Sequence, residues 1–472
     1  MSARKMTMTE KIFAAHAGRK DVTPGENVWL DVDILMTHDV CGPGTIGIFK
    51  EQFGKNAKVW DKTRIPIIPD HYIFTADGKC HRNVQILRDF VKEQDIKYYY
   101  DPDFLDTDEG SGYPSPYRDP TKTTYKGVCH KALPEEGHCR PGEIMLGTDS
   151  HTCTAGAFGE FATGVGNTDA AFVMGTGRTW MKVPPTMKFA FKGEIPAYLT
   201  AKDLILAVIG KIGFDGATYK SMYFTGTGIS SLSLEDRMTL TNMAIEAGGK
   251  NGICDVDEKT LEYVRARTNR PDWTVQTEDE GAEYCFEAAW DLKNFEPLVA
   301  KPHSPDNTAT ARECKGTKLD RAYIGSCTGG KITDMIYAAN ILNGNNVKIP
   351  TFVVPGSTEV HADMLRLGLD GEALKPGAKS IYATLQDAGC NIGAASCAAC
   401  LGGPKDTFGR LNEPINCIST TNRNFPGRMG HKDAGVYLAS PLTAAASALT
   451  GFVTDPREYV NGPISTGSAG VR

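Results

Sequence analysis

No stretch of this chain carries the roughly 18 consecutive apolar residues that a membrane-crossing helix needs. The opening Met1-Ser2-Ala3-Arg4-Lys5 leads into an amphipathic stretch rather than the apolar core of a signal peptide. A soluble protein is expected. An excess of positive charge is also missing: 51 Lys and Arg stand against 57 Asp and Glu, for a formal net charge of −6. That balance lacks the basic footprint through which proteins bind nucleic acid non-specifically, and a small substrate is expected instead. Internal repeats and low-complexity tracts are absent. So is an even set of cysteines, since the chain has 13. A chain of 472 residues needs no disulfide staples. The expected setting is a reducing compartment, the cytoplasm, or a plastid stroma or mitochondrial matrix if a leader was removed before Met1.

Three cysteines carry the most information. Cys327 lies in Ile324-Gly325-Ser326-Cys327-Thr328-Gly329-Gly330, and Cys397 and Cys400 lie in Ser396-Cys397-Ala398-Ala399-Cys400-Leu401-Gly402-Gly403. Structural zinc and electron-transfer clusters take four protein ligands, so three thiolates suggest a metal centre with one position open for chemistry. Cys397-x-x-Cys400 by itself could equally be a metal half-site, a redox pair or a pair of buried thiols. Its surroundings favour the metal: residues 393–403 are rich in Gly and Ala, which lets backbone approach a bulky inorganic group and offers it amide donors. Gly325-x-x-x-x-Gly330-Lys331 also matches most of a phosphate-binding loop. Ile332 stands where that loop requires a hydroxyl for magnesium, which disfavours the nucleotide reading.

Short β-branched runs alternate with glycine-rich turns and helical patterns, the mark of an α/β protein. Three domains are expected, at residues 1–186, 187–302 and 303–472, the last carrying the cysteines. Candidate strands fall at residues 64–68, 144–147, 187–192, 322–325, 349–354 and 416–419. Residues 101–127 read as a long surface loop and residues 461–472 as a frayed tail. In open parallel sheets ligands sit beyond the carboxyl ends of strands. The loops there hold Asp70-His71, Asp149-Ser150-His151, Cys327, and Asn422-Arg423 with Arg428.

A carboxylate beside an imidazole fixes its tautomer and holds a proton for a leaving hydroxyl, so Asp70-His71 and Asp149-x-His151 are candidate acid–base pairs. Either could also be a structural pair. Cys129-His130 and His138-Cys139 could mimic zinc ligation, but their spacing is irregular; His130 is the favoured site residue there. Arg423 and Arg428 share a loop shaped by Pro426 and Gly427, which suits bidentate grip on carboxylates, although a solvated basic turn would look similar.

Taken together these runs closely resemble the aconitase superfamily over nearly the whole chain. The most specific stretches are Met36-Thr37-His38-Asp39, Pro69-Asp70-His71, Gly137-His138-Cys139-Arg140-Pro141-Gly142, Gly147-Thr148-Asp149-Ser150-His151-Thr152, Ile324 to Gly330, Ser396 to Gly403 and Thr421 to Arg428. The resemblance implies three α/β domains around a shared 4Fe-4S cluster held by Cys327, Cys397 and Cys400, with one iron open to the substrate hydroxyl and carboxylate. It implies catalytic roles for Asp70, His71, His130, Asp149, His151 and Glu246. Substrate contacts are implied for His38, Ser150, Asn242, Asn422, Arg423 and Arg428, with Asn242 and Glu246 reaching the iron site from the second domain. Three positions depart from the superfamily pattern: Ala398 replaces a glycine, Gly329 an asparagine, and His38 a glutamine.

The resemblance further implies a hydro-lyase, the large catalytic subunit that interconverts 2-isopropylmalate and 3-isopropylmalate through isopropylmaleate in leucine biosynthesis. No region like the superfamily's swivelling domain is recognised, so a small subunit is expected to supply it, as a heterodimer or heterotetramer. Homoaconitase, methylthioalkylmalate isomerase and dimethylmalate dehydratase large subunits would place the same residues in the same roles. A cluster-sensing RNA-binding regulator is a rival of another class, disfavoured by the acidic charge balance.

Overall fold

In the computed structural model, residues 4–103, 124–268, 270–467 and 469 are described. Three short strands, Ile34–Met36, Ile144–Gly147 and Phe161–Gly164, pair in parallel with Ile144–Gly147 at the centre. They are buried almost throughout, as parallel strands covered on both faces are. Register sets Met36 beside Gly147 and Gly147 beside Gly164, so the loops after the first two strands emerge together. Those loops carry His38-Asp39 and Asp149-Ser150-His151.

The strand expected at residues 64–68 does not form. Ile67 alone makes isolated bridges, to Thr37 and Tyr99. Pro66 and Pro69 flank it and have no amide hydrogen to give a ladder, so the run follows the sheet edge on scattered backbone bonds, among them Leu35 N to the Arg64 carbonyl and Ile68 N to the Thr37 carbonyl, without becoming a strand.

The middle of the chain builds a wholly parallel sheet in the order Asn251–Cys254, Ser221–Thr225, Thr186–Lys192, Phe286–Asp291. The strand expected at residues 187–192 thus begins one residue earlier. Helix Ala201–Ile212 starts at Thr200, whose hydroxyl and the Asp203 carboxylate form a reciprocal capping box. Helix Leu234–Asn242 is capped by Ser233, tightens into a 3₁₀ turn at Met243–Ala247, and stops at Gly248, whose φ of 79° suits glycine.

The last segment holds a seven-stranded sheet. Gly435–Ala439, Asn416–Ser419, Arg321–Ile324, Thr351–Val353 and Asn391–Ile392 run parallel, matching three expected strands closely. Leu298–Ala300 and Thr308–Thr310 extend one edge antiparallel. Helices Ile332–Leu342 and Pro441–Thr450 bury Met335, Ile336, Leu342 and Leu442 against this sheet. Each such side chain contributes about 1.5–3 kcal/mol of transfer free energy.

Of the expected surface loop at residues 101–127, residues 104–123 lie outside the described residues. Residues 461–467 are not a frayed tail. Ile464 packs on the core, and the Ser465 hydroxyl donates to the Asp370 carbonyl. Among the described residues no helix is long and apolar enough to cross a membrane.

Candidate active site

Cys327 sits on the short helix Ser326–Gly329, directly beyond strand Arg321–Ile324. The turn into it is tight: Ser326 takes a positive φ of 76°, costly for a side-chain-bearing residue. Gly329 allows Thr420 to press against the same turn, since a Cβ there would come within 2.2 Å of the Thr420 hydroxyl. Thr420 also accepts from Gly325 N at 2.9 Å, fastening the cysteine turn to the strand-end loop that presents Asn422. Cys397 caps the short helix Ala398–Leu401, and Cys400 lies within it.

All three sulfurs are buried. The Cys397 thiol beside Cys327 holds it well below its usual range, and Cys397 is itself pushed well above. The Asn422 amide lies 3.4 Å from both Cys327 Sγ and Cys400 Sγ, and the Asn242 amide nitrogen is 3.2 Å from Cys327 Sγ. Three converging thiols, two amide partners and a loop of small residues form a donor set that fits a sulfur-bridged iron cluster.

Asn242 is spent on that cradle. Besides Cys327, its nitrogen donates to Thr154 Oγ1 at 2.8 Å and its oxygen accepts from Thr328 Oγ1 at 2.8 Å. The resemblance brings Asn242 to the iron site and sets Asn422 on the cluster or the hydroxyl; in the structure both amides face sulfur.

Asp149 is the hub of the acid–base residues. Its Oδ1 accepts from His130 Nε2 at 2.7 Å and from the His151 amide at 2.7 Å, and its Oδ2 lies 3.6 Å from His71 Nε2. Burial would raise its pKa, but His130 and then His151 hold it well below the usual carboxylate range. His71 Nδ1 donates to Asp70 Oδ1 at 2.5 Å. Burial alone would lower the His71 pKa; the Asp70 and Asp149 charges instead raise it to about 10. The ring therefore stays protonated at neutral pH.

On the other side, His151 Nε2 donates to Glu246 Oε1 at 2.7 Å, and Arg423 Nε lies 2.8 Å from both Glu246 oxygens. Burial and the Arg423 charge oppose protonation of His151, yet its bonds to Asp149 and Glu246 raise its pKa. Arg423 Nη2 reaches Ser150 Oγ at 3.3 Å, and Ser150 Oγ is 3.3 Å from His151 Nδ1. These contacts connect Asp70, His71, His130, Asp149, Ser150, His151, Glu246 and Arg423.

Three buried polar atoms of these residues have no partner among the described residues: His38 Nε2, His130 Nδ1 and Arg428 Nε. His38 stacks on His71 with ring centroids 4.5 Å apart. Its own burial, then the His71 charge, keeps it neutral. Unpartnered buried groups of this kind are rare and invite a ligand.

His38, Asp39, Asp70 and His71 also bring potential metal-ligating atoms within 4.8 Å of one another. The carboxylates of Asp39 and Asp70 and the ring of His71 are already engaged. Asp39 accepts from the amides of Asp70, His71 and Tyr72 at 2.9, 3.0 and 2.7 Å, Asp70 also accepts from Cys129 N at 2.8 Å, and a protonated His71 cannot ligate. Asp39 is a structural clamp on the Asp70-His71 turn. Sequence reasoning quoted it in a motif without seeing that role. The phosphate-loop reading fails too: Lys331 is buried and bonded to Asp334 and the Thr328 carbonyl. His138 is bound to the Tyr100 hydroxyl at 2.7 Å, a structural partner.

Comparison with known proteins agrees with this geometry. The profile described as "Aconitase family (aconitate hydratase)" matches residues 10–316 and 307–451. The chain is 58% identical to the protein named 3-isopropylmalate dehydratase large subunit, chloroplastic, of Arabidopsis thaliana over 458 residues, covering 96% of this chain and 87% of that one. It is 43% identical to a 3-isopropylmalate dehydratase large subunit of Aquifex aeolicus over 462 residues (96% and 98%). To the corresponding large subunit 1 of Methanopyrus kandleri it is 41% identical over 456 residues (96% and 99%). With a profile match across most of its length and relatives far above 30% identity, the chain belongs to the aconitase family.

Proposed function

We propose that this chain is the catalytic large subunit of a hydro-lyase that interconverts 2-isopropylmalate and 3-isopropylmalate through isopropylmaleate. The observation that carries the reading is Asp149, bonded to His130 and His151 and facing His71, with buried Cys327 in electrostatic reach of Asp149, His130 and His151. The family implies a 4Fe-4S cluster, and in our reading Cys327, Cys397 and Cys400 hold it. Bound there, it would supply a Lewis-acidic iron with an open position.

The chain's own residues then have separable tasks. Arg423 is anchored through Nε on Glu246, which leaves its Nη1 free among the described contacts to take a substrate carboxylate; Arg428 offers its unpartnered Nε to the same end. His71, charged and pointing Nε2 toward Asp149, protonates the departing hydroxyl. Asp70 restores the charge balance by its bond to Nδ1. His130 holds Nε2 on Asp149, so its unpartnered Nδ1 is left to meet the released water. Burial of these residues excludes bulk water, which strengthens each electrostatic contact.

The relatives are named large subunits, which supports a small-subunit partner. In our reading that partner supplies the swivelling domain and the base that removes the proton on the neighbouring carbon. We place the complex in a reducing compartment, the cytoplasm or a plastid stroma. All 13 cysteines are free, and one relative is named chloroplastic. We also propose the division into units at residues 1–186, 187–302 and 303–472. The strand Leu298–Ala300, which joins the last sheet, shows that the boundary region is shared.

The test is turnover of a panel of malates by the anaerobically prepared complex with its small subunit. 2-Isopropylmalate should be dehydrated and rehydrated with the highest kcat/KM. Preference for homocitrate, a methylthioalkylmalate or dimethylmalate would move the assignment within the family.

A further inference from the structure

Behind the cysteine loops lies a buried ammonium that none of the chemistry above uses. Lys202 is the second residue of helix Ala201–Ile212 and is 2% exposed. Its Nζ donates to the Thr420 carbonyl at 3.1 Å and to the Thr421 carbonyl. Those two residues immediately precede Asn422 and Arg423. Thr420 also bonds the Gly325 backbone, and Asn422 contacts Cys327 and Cys400. One ammonium therefore underpins both the cysteine turn and the carboxylate-gripping loop.

Its charge is not matched. Among the described residues, no carboxylate forms an ion pair with Lys202, whereas buried Lys131 pairs with Glu235 and Glu135, and buried Lys331 with Asp334. An ammonium out of water without an opposite charge costs several kcal/mol. Burial first, then the Lys331 charge, pushes its pKa down to about 7, and Cys400 leads the groups that pull it back up. Asp334 and Glu246 follow Cys400, but each is already bonded to another cation, Asp334 to Lys331 and Glu246 to Arg423.

We propose that Lys202 is an internal counter-ion of the anionic cysteine site, a positioning residue whose charge is best balanced when the three thiolates hold their cluster. Loading of the cluster and setting of the Asn422-Arg423 loop then become one cooperative event. This rests on the cofactor reading above.

The test compares wild type, Lys202→Met and Lys202→Gln as apo and as anaerobically reconstituted protein. Methionine removes charge and donor; glutamine keeps a donor. Urea unfolding of the apo form should show Lys202→Met as stable as wild type or more so, because the unmatched charge is gone. In the reconstituted form both variants should release iron to a chelator faster by about tenfold or more, the scale of one charge interaction at an effective dielectric near 20. Their clusters should also have a lower reduction potential, since a nearby positive charge favours the added electron. A residue that merely ties helix to loop would weaken apo and loaded forms alike. That outcome, a Lys202→Met chain that cannot fold without iron, or unchanged iron release and potential, would overturn the proposal. If wild type itself retains no iron or sulfide, the cofactor reading fails instead.

Discussion

Glu246 and Arg423 meet through a single nitrogen: the arginine Nε lies 2.8 Å from each carboxylate oxygen, so the terminal Nη1 stays available. The same carboxylate accepts from His151. One buried residue therefore aims a cation and fixes a ring.

Replacing it with glutamine keeps the shape and removes the charge that orients both neighbours. For Glu246→Gln we expect kcat to fall by about 10²–10⁴, the range typical of losing a placed acid–base group. KM for 2-isopropylmalate should also rise as Arg423 loses its anchor. Steady-state kinetics of the complex checks this; a rise in KM alone would limit Glu246 to binding.

His71 gives a pH prediction with a definite sign. Its folded pKa, about 10, lies above the ordinary value of 6.5. The stability it contributes through Asp70 and Asp149 is then fully present below about 6.5 and is lost as pH rises toward 10. Unfolding free energies of wild type and His71→Gln measured across that window should converge at the alkaline end. A gap that stays constant with pH would refute the charged assignment.

His138 should behave in the opposite way. Burial first, then the charges of Arg140 and Arg270, hold its pKa at about 3, below the ordinary 6.5, and it contacts Tyr100 as a neutral ring. Its contribution is present above about 6.5 and is lost as pH falls toward 3. His138→Gln should flatten the acid limb of the stability profile, read by urea midpoints at stepped pH.

Gly329→Ala tests the packing of the cysteine turn. The added methyl would meet Thr420 at 2.2 Å, so backbone must shift at a cost of about 1–3 kcal/mol. Iron content after anaerobic purification should drop together with stability. Retention of full iron at wild-type stability would show that the turn yields.

How much of this was readable beforehand follows from what kind of signal each feature leaves. The strand Ile144–Gly147 is a continuous apolar run, Asn416–Ser419 centres on Cys417 and Ile418, each has a polar loop after it, and their bounds were legible to the residue. The 64–68 run had the same apolar look, but its prolines decided against a ladder. The cysteines, the aspartate–histidine pairs and the arginines announce their chemistry by type. Asn242 and Glu246 do not. They sit on a helix and its 3₁₀ extension in the middle of the chain, and only the family resemblance nominated them. Asp39, Thr420 and Lys202 act through backbone amides and carbonyls 31, 95 and 218 residues away, contacts that leave no spacing pattern to read.

The most direct test of the central claim is Mössbauer spectroscopy of protein reconstituted anaerobically with ⁵⁷Fe, recorded with and without 2-isopropylmalate. The account predicts a cluster in which one iron site, distinct from the rest, shifts when substrate is added, and which is lost in Cys327→Ser, Cys397→Ser or Cys400→Ser. A spectrum unchanged by substrate, or a cluster that survives all three substitutions, would contradict it.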